Sequence, residues 1–309
     1  MPRAASTPAT TLSGSSRLAW AVLRSLRPRQ WVKNLFVFGG LVFAQRLFTS
    51  SVWPALGAFV IFCGLSGAIY IFNDVADREK DRLHPRKRER PIAAGLLPIS
   101  LALVCAVALI LAGLAAAFAL SPLFAAVALA YVGLLSLYSA VLKHVVIVDV
   151  LTVAIGFVLR AVGGALAINV EISGWLLICT ILSALFLALG KRRHEYLTLN
   201  ADAARHRPVL GEYSAGLLDQ MIAVVTASTV TAYALYTMSP ETVAKFHTHL
   251  LPATLPFVLY GIFRYLYLLY HRQLGGNPSD LFLNDRALLL NTIGWVLAVV
   301  LIIYGAPVR

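Results

Sequence analysis

Long apolar runs separated by short polar segments dominate the chain, and most of them have the length of a membrane-spanning helix. A hydrocarbon core of about 30 Å requires roughly 20 apolar residues in an α-helix. The predicted spans are Asn34–Phe48, Val52–Phe72, Ile99–Leu120, Leu123–Val141, Val146–Ile168, Trp175–Gly190, Leu217–Met238, Leu251–Tyr270 and Ala287–Tyr304. The first is short, and we expect Trp31 and Lys33 to anchor its start at the interface. The pattern therefore predicts an all-α fold, a polytopic membrane bundle of about nine transmembrane helices.

Composition supports a membrane protein and excludes several other classes. Hydrophobic residues make up 59% of the chain and charged residues only 13%, whereas soluble domains are about one quarter charged. The net charge of +12 would suit a nucleic-acid-binding protein, but apolar spans interrupt the basic residues, so we expect no nucleic acid partner. Cys63, Cys105 and Cys179 all fall in apolar runs, which indicates neither a zinc site nor a disulfide framework.

The basic residues lie almost entirely on one side of the predicted membrane. If the N-terminus is cytoplasmic, 22 of the 26 Lys and Arg residues are cytoplasmic and three are external. This positive-inside bias predicts a multi-pass inner (plasma) membrane protein with a cytoplasmic N-terminus and an external C-terminus. Twelve of the 14 acidic residues share the cytoplasmic side, with Glu171 and Glu241 outside. We therefore expect the active site to face the cytoplasm.

The chain is expected to form one transmembrane domain preceded by a tail. Residues 1–16 are rich in Ala, Ser, Thr and Pro, which is typical of a disordered segment. They lack the apolar core and cleavage pattern of a signal peptide. Residues 17–309 then form the single domain.

An acidic motif follows the second predicted span. In a helix, Asn73, Asp77 and Asp81 would share one face, with Asp74 on its flank. Carboxylate and amide oxygens suit Mg²⁺, which often shares its ligand shell with substrate phosphates. The alternative is a solvated helix end with ordinary surface ion pairs. Because apolar residues run directly into the acids, which are costly at membrane depth, we favour a metal site made by Asn73, Asp74, Asp77 and Asp81.

A basic loop, His84–Gly95, follows the motif. Pro85 and Pro91 argue against a continuous helix there. Attraction to anionic lipid would explain some of these charges. Beside a metal site, Arg and Lys also bind phosphate oxygens, and we expect Lys87 and Arg90 to do so.

At these residues the chain resembles the UbiA-type prenyltransferase superfamily, and the resemblance covers nearly its whole length. Members are nine-helix membrane bundles with an Asn-Asp-x-x-Asp-x-x-x-Asp motif after the second helix, as in Asn73–Asp81. They usually carry a second aspartate-rich motif after the sixth span. This chain has the basic cluster Lys191-Arg192-Arg193 there instead, which cannot chelate Mg²⁺ but can bind phosphate directly.

That departure resembles one branch of the superfamily, the decaprenyl-phosphate phosphoribosyltransferases, as do the segments Arg27–Asn34, Tyr138–Lys143 and Tyr260–Tyr265. The branch transfers 5-phosphoribose from phosphoribosyl diphosphate (PRPP) to a polyprenyl (decaprenyl) monophosphate. In mycobacteria and their relatives the product leads to the arabinose donor for cell-wall arabinan. The PRPP signature of soluble enzymes is absent, so a PRPP site would have to be built from the Asp motif.

The resemblance implies a Mg²⁺-dependent membrane glycosyltransferase. Mg²⁺ held by Asn73, Asp77 and either Asp74 or Asp81 would bind the diphosphate of PRPP. Arg29 and Lys33 would hold the lipid phosphate or the 5-phosphate, and the basic cluster Lys191, Arg192 and Arg193 would hold the other. For Arg29 and Lys33 the alternative is anchoring at the membrane interface.

Further candidate substrate contacts lie around the fifth span. Lys143 and Asp149 bracket its start, and Arg160 lies deeper, where a lone cation costs about 2.5–3.5 kcal/mol and needs a partner or a wet cavity. Arg160 could contact substrate or pair structurally with an acid such as Asp149. Tyr138 could contact substrate or belong to the interfacial aromatic belt.

Two other functions remain as alternatives. An aromatic prenyltransferase with a polyprenyl diphosphate donor would retain one Asp motif, but the basic cluster counts against it. A lipid-phosphate transporter would place its polar residues near the bilayer midplane, whereas here they gather at one face. The sequence leaves the oligomeric state open, with a homo-oligomer as one alternative.

Overall fold

The computed structural model describes residues 14–84, 87–199 and 208–305, and this part of the chain contains helices and turns but no strand. The prediction of an all-α fold is confirmed. The α-helices are α1 Gly14–Ser25, α2 Gly39–Phe43, α3 Val52–Ala76, α4 Arg78–Leu83, α5 Ile99–Leu120, α6 Pro122–Ala140, α7 Val148–Ala167, α8 Gly174–Leu199, α9 Ala215–Met238, α10 Pro240–Phe246, α11 Leu255–Tyr270, α12 Pro278–Asn284 and α13 Arg286–Gly305. Short 3-10 helices cover Pro28–Phe38, Lys87–Glu89, Leu142–His144, Pro208–Glu212 and Leu251–Thr254.

Eight helices in the described ranges are long and apolar enough to cross a membrane. They are α3, α5, α6, α7, α8, α9, α11 with its 3-10 lead-in, and α13, and each matches one of the predicted spans. Local signals fix several of their starts. Ser121 caps α6 by accepting a hydrogen bond from the Phe124 amide, with Pro122 at the first helical position, as expected for a helix N-terminus.

The first predicted span has a different structure. Where a helix was expected over Asn34–Phe48, the chain forms the 3-10 helix Pro28–Phe38 and then the five-residue α2. Gly39 and Gly40 lower the helix propensity of this run, and its tight packing against α7 selects the irregular path. A ninth crossing and a cytoplasmic N-terminus stay predictions. Of the expected tail, residues 1–13 lie outside the described residues, and Gly14–Ser16 begin α1.

Helices α3 and α7 form the centre of the bundle and bury most of their membrane windows. Small residues on α7 allow the close contact. A side chain at Gly164 would overlap the backbone carbonyl of Val37, and one at Gly163 would overlap the Phe62 ring. The aromatic rings of Phe62, Phe124 and Tyr131 fill the space between α3, α6 and α7. The amino-terminal 3-10 helix is therefore fixed against α7.

The polar segments gather at one end of the bundle, which we call the motif end. It holds the C-terminal ends of α3 and α8, the start of α7, and the short helices α4 and α12. Helix α12 packs against the 3-10 helix Pro28–Phe38. The opposite end holds the loop before α8 and the short helix α10.

Candidate functional site

A large cavity lies inside the bundle, with a volume of about 1270 Å³. Its wall is mostly apolar and includes Phe36, Phe157, Phe186 and Leu187. Polar residues line it toward the motif end, namely Lys33, Asn73, Tyr138, Arg160, Lys191 and Arg192. Glu171, Glu241 and Lys245 line it toward the opposite end. The cavity therefore suits an amphiphilic ligand with an anionic head and a long apolar tail.

The acidic motif presents two pairs of side chains. Helix α3 ends at Ala76 and α4 begins at Arg78, with Asp77 between them, but the Asp77 amide still donates to the Asn73 carbonyl and the Asp81 amide to the Asp77 carbonyl. Asp74 and Asp81 are seven residues apart, about two helical turns, and therefore lie on the same side. Both Asp74 and Asp81 are buried, at 2% exposure each.

Two arginines hold the Asp74–Asp81 pair. The guanidinium of Arg90 donates to Asp74 Oδ1 at 3.0 Å and to Asp81 Oδ2 at 2.6 Å. Arg27 also forms an ion pair with Asp74, and Lys87 Nζ lies 3.9 Å from Asp81 Oδ1. These carboxylates therefore orient basic side chains: Asp74 and Asp81, predicted as metal ligands, pair with arginine here. Phosphate binding by Lys87 and Arg90 stays a prediction.

Asn73 and Asp77 are the oxygen donors of the motif that remain free for a ligand. Asn73 lines the cavity, and neither side chain makes a hydrogen bond or ion pair with any residue that the structure describes. Within those residues no group of three His, Cys, Asp or Glu side chains is arranged for a metal. Mg²⁺, however, is usually bound by one or two carboxylates together with water and substrate phosphates. An amide and one carboxylate beside a phosphate-binding cavity fit that mode of binding.

Three cations line the cavity beyond the motif, and we call Lys33, Arg160 and Lys191 the cation cluster. Arg160 is 5% exposed. Lys33 makes no hydrogen bond or ion pair with a described residue, and Lys191 Nζ lies 3.6 Å from Glu195. Burial and the positive charges of Arg160 and Arg27 lower the pKa of Lys33 to about 8. A phosphate in the cavity would stabilise all three charges.

Neutral groups fix the guanidinium of Arg160. It donates from Nε to Asn34 Oδ1 at 2.7 Å, from Nη1 to the Gly156 carbonyl at 2.8 Å and from Nη2 to the Tyr131 hydroxyl at 2.6 Å. It also lies over the rings of Tyr131 and Phe157. The expected structural pairing with Asp149 is wrong, since Asp149 has another partner.

Asp149 belongs to a buried network around Arg192. Arg192 Nε donates to Asp149 Oδ2 at 2.6 Å, and Arg192 also pairs with Glu195 and with the Tyr138 hydroxyl at 3.1 Å. Tyr213 donates to Asp149 Oδ1 at 2.7 Å, which raises the pKa of the Tyr213 phenol together with burial. This network ties α6, α7 and α8 together, and it shows why Asp149 needs no substrate to neutralise it.

Other predicted contacts lie away from the cavity lining. Arg193 points to Asp219 on α9, with Nε to Oδ1 at 2.5 Å, and covers the ring of Tyr270. Arg29 is largely exposed and contacts α12 through Asn284 and Asp280. Lys143 lies in the 3-10 helix before α7 and outside the cavity wall. The structure thus separates Lys191 from Arg193, because residues two positions apart on a helix point about 200° apart.

Three residues at this site were not assigned a role from the sequence. Arg27 pairs with Asp74, while Asn34 and Tyr131 hold Arg160. Arg27 also has a left-handed backbone, with φ of 54°, a conformation that non-glycine residues adopt at a cost. Asn34 is a polar residue that begins a predicted apolar span, and a polar side chain at such a position needs a buried hydrogen-bond partner. This feature of the sequence indicates a role for Asn34.

Together, an apolar chamber, one acidic motif and uncompensated cations define a polytopic membrane protein built to bind an amphiphilic anion. The sequence profile of the UbiA prenyltransferase family matches residues 34–285. The chain belongs to the UbiA prenyltransferase family. It is accordingly a membrane enzyme of the transferase class.

Curated relatives cover almost the whole chain. It is 34% identical to the decaprenyl-phosphate phosphoribosyltransferase of Corynebacterium glutamicum, over 94% of this chain and 89% of that protein. The enzyme of the same description from Mycobacterium tuberculosis is 32% identical, over 92% of this chain and 94% of its own length.

Solved structures share the fold. A UbiA homologue from Archaeoglobus fulgidus bound to GPP and Mg²⁺ superimposes with a TM-score of 0.70 at 18% identity, over 92% of this chain and 99% of that one. The same homologue bound to DMAPP and Mg²⁺ gives a TM-score of 0.68, also at 18% identity and with the same coverage.

Proposed function

We propose that the protein transfers 5-phosphoribose from PRPP to a polyprenyl (decaprenyl) monophosphate and releases diphosphate at the cytoplasmic face of the plasma membrane. Two relatives named for this reaction align over more than nine tenths of the chain, which supports the proposal. If the organism makes arabinan, the product is a precursor for cell-wall biogenesis.

The observation that carries the proposal is a basic wall together with a single acidic motif. A prenyl diphosphate donor bound by two acidic motifs would need carboxylates where this chain has Lys191 and Arg192. Here the cavity wall includes both Asn73 of the acidic motif and the cation cluster. A reaction between a diphosphate and a separate monophosphate suits a cavity that has both kinds of group.

Binding and orientation are the main tasks of the protein side chains. Arg27 and Arg90 are held in place by Asp74 and Asp81, so their remaining N–H groups can bind donor phosphate oxygens without first becoming ordered. Asn73 and Asp77 would hold a divalent ion, Mg²⁺, that neutralises the diphosphate and improves it as a leaving group. The apolar wall excludes water from the reacting carbon.

The chemical step requires no covalent intermediate with the enzyme and no strong base. The bond from the anomeric carbon of ribose to the diphosphate oxygen breaks, and diphosphate leaves with the electron pair. An oxygen of the lipid phosphate forms the new bond to that carbon. Because a phosphate monoester is already anionic, no proton has to be removed, and fixed positive charges stabilise the separating anions.

The direct test uses purified protein in detergent with PRPP labelled in the ribose, polyprenyl phosphate and Mg²⁺. We expect label in the organic phase, and none with polyprenol in place of its phosphate. Asp77→Asn should lower kcat/KM at least about tenfold. Glu79→Gln changes an exposed acid of the same segment that makes only surface ion pairs, so this control should stay within about twofold.

Other products would identify the alternatives. Label that enters the lipid phase only from a prenyl diphosphate, in the presence of an aromatic acceptor, would select the aromatic prenyltransferase. Translocation of polyprenyl phosphate without diphosphate release would indicate a transporter. Full activity of Asp77→Asn would contradict the assigned role of the motif.

A further inference from the structure

Two members of the cation cluster, Lys33 and Arg160, make no ion pair with a described residue, whereas Lys191 Nζ lies 3.6 Å from Glu195. Arg192 is neutralised by Asp149 and Glu195. Arg160 has only neutral hydrogen-bond partners, and no carboxylate of the described residues lies within ion-pair distance of it. Lys33 likewise has no ion-pair partner among them. Two positive charges therefore line the cavity without a direct ion pair, although Asp280 lies near enough to Lys33 to favour its charged form.

Buried uncompensated charge is costly, so the cluster indicates an anionic ligand. A phosphate monoester carries a charge of about −1.5 to −2 at neutral pH, which matches the two free charges of Lys33 and Arg160. Lys191 is close enough to Lys33 for their charges to interact, and it shares Glu195 with Arg192. Lys33 also interacts electrostatically with Arg160, so the three cations belong to one part of the cavity wall.

The depth of Arg160 distinguishes between the phosphates of the two substrates. Arg160 lies eleven residues beyond Asp149 on α7, about 16 Å along the helix axis at 1.5 Å per residue. Its neighbours in the cavity wall include Leu135, Val153 and Phe157. A sugar donor with three phosphate groups would have to lose most of its hydration to reach this depth, whereas a lipid phosphate arrives attached to an apolar chain that gains from burial there.

The motif end offers the donor a separate set of groups. Arg27 and Arg90 converge on Asp74 beside Asn73, the cavity residue of the acidic motif. These groups are partly exposed, so a soluble, highly charged molecule can reach them from water. Asn73 lies in the cavity wall, whereas Arg27 and Arg90 lie outside it.

We propose that the cation cluster holds the phosphate of the polyprenyl monophosphate acceptor, with its chain in the apolar part of the cavity, and that the donor phosphates bind nearer the motif end. This assignment rests on the proposed function. It makes Arg160, anchored by Asn34 and Tyr131, the residue that selects a phosphorylated lipid over a lipid alcohol.

The test separates the two substrates by measuring each affinity on its own. Geranylgeranyl monophosphate and geranylgeraniol are titrated into wild type, Arg160→Gln and Lys33→Gln in detergent, followed by thermal shift or microscale thermophoresis. We expect both variants to bind the monophosphate at least about tenfold more weakly and the alcohol as wild type does. Arg272→Gln is the control, because Arg272 is exposed and outside the cavity wall.

Kinetics provide the second readout. In the labelled-ribose assay, KM for the lipid phosphate should rise in Lys33→Gln and Arg160→Gln while KM for PRPP stays within about twofold. If Arg160→Gln does not fold, Lys33→Gln alone decides the outcome. A raised KM for PRPP with unchanged lipid affinity would overturn the assignment and place a donor phosphate at the cluster.

The binding measurement distinguishes failure of this site assignment from failure of the proposed reaction. If wild type transfers no ribose but still binds the monophosphate through Arg160, the proposed reaction fails and the lipid phosphate site stands. If ribose transfer occurs and the monophosphate binds equally well to all the variants, the reaction stands and the site is wrong.

Discussion

Lys33 is a member of the cation cluster that titrates near pH 8. Its pKa is lowered to about 8, first by burial and then by Arg160 and Arg27, while Asp280 opposes the shift. Lys191 also interacts with it. At pH 7 most Lys33 side chains carry the proton, and above pH 8 most have lost it.

The first prediction follows from this titration. Between pH 7 and 9.5 the affinity of wild type for a prenyl monophosphate should fall by up to about tenfold, because Lys33 loses its charge while the phosphate, with a second pKa near 6, stays doubly ionised. Lys33→Arg should make the affinity nearly independent of pH. The same slope in Lys33→Arg as in wild type would assign the titration to another group.

Tyr213 allows a structural role of Asp149 to be separated from substrate binding. Its hydroxyl accepts a hydrogen bond from the Ile147 amide at 2.8 Å and donates to Asp149 at 2.7 Å. Ile147 has a φ of 66°, which costs energy in a β-branched residue. Tyr213 thus holds a strained turn at the start of α7 in place.

We expect Tyr213→Phe to destabilise the protein by about 1–3 kcal/mol, because it leaves a buried acceptor and an amide without a partner. KM for both substrates should change little. Thermal unfolding in detergent measures the first effect, with Tyr260→Phe, a half-exposed tyrosine, as the control. A large change in KM without loss of stability would show that Asp149 contacts substrate after all.

At the level of elements, α12 covers part of the motif end of the cavity. Pro278, Ser279 and Phe282 line the cavity wall. The helix is held to the amino-terminal 3-10 helix through Gln30, which accepts a hydrogen bond from Ser279 at 3.3 Å and donates to Asn277 at 3.3 Å. These bonds are neutral and partly exposed, so the contact can open at low cost.

Gln30→Ala should therefore increase the opening of α12. Losing two hydrogen bonds of about 1 kcal/mol each should speed hydrogen exchange of residues 277–284 several-fold. Exchange in α5, which does not contact this region, should be unchanged and serves as the internal control. Unchanged exchange in residues 277–284 would mean that other contacts hold the helix.

Sequence patterns predict a helix well where it is surrounded by lipid. They predict it poorly where packing against another helix determines the path of the backbone. The eight long helices follow from runs of apolar residues, because lipid accepts any such helix. The segment containing Gly39 and Gly40 was predicted as a span but takes its shape from α7. Similarly, the pairing of Arg27 with Asp74 joins groups that only the folded bundle brings together. The seven-residue spacing places Asp74 and Asp81 on one side of a helix, but it does not show that arginine side chains occupy both carboxylates.

At the scale of the whole molecule, the close contact at Gly164 gives a matched pair of substitutions. Alanine at Gly164 would overlap the Val37 carbonyl, whereas alanine at Gly133 on α6 meets nothing within 4 Å. Both changes favour a helix by up to about 1 kcal/mol. We expect Gly133→Ala to be neutral or stabilising and Gly164→Ala to cost about 1–3 kcal/mol or more through overpacking. Unfolding in detergent measures both, and equal stability of the two variants would contradict the contact.

The close contact between the main chains at Gly164 and Val37 also positions the segments that carry the cation cluster. Lys33 and Asn34 stand on one of these chains, and Arg160 stands on the other, one helical turn from the point of contact. Since the two main chains are in direct contact, the backbone positions of Lys33 and Arg160 are held at a fixed spacing. Backbone packing in the bundle would therefore limit which lipid head groups fit between these two segments.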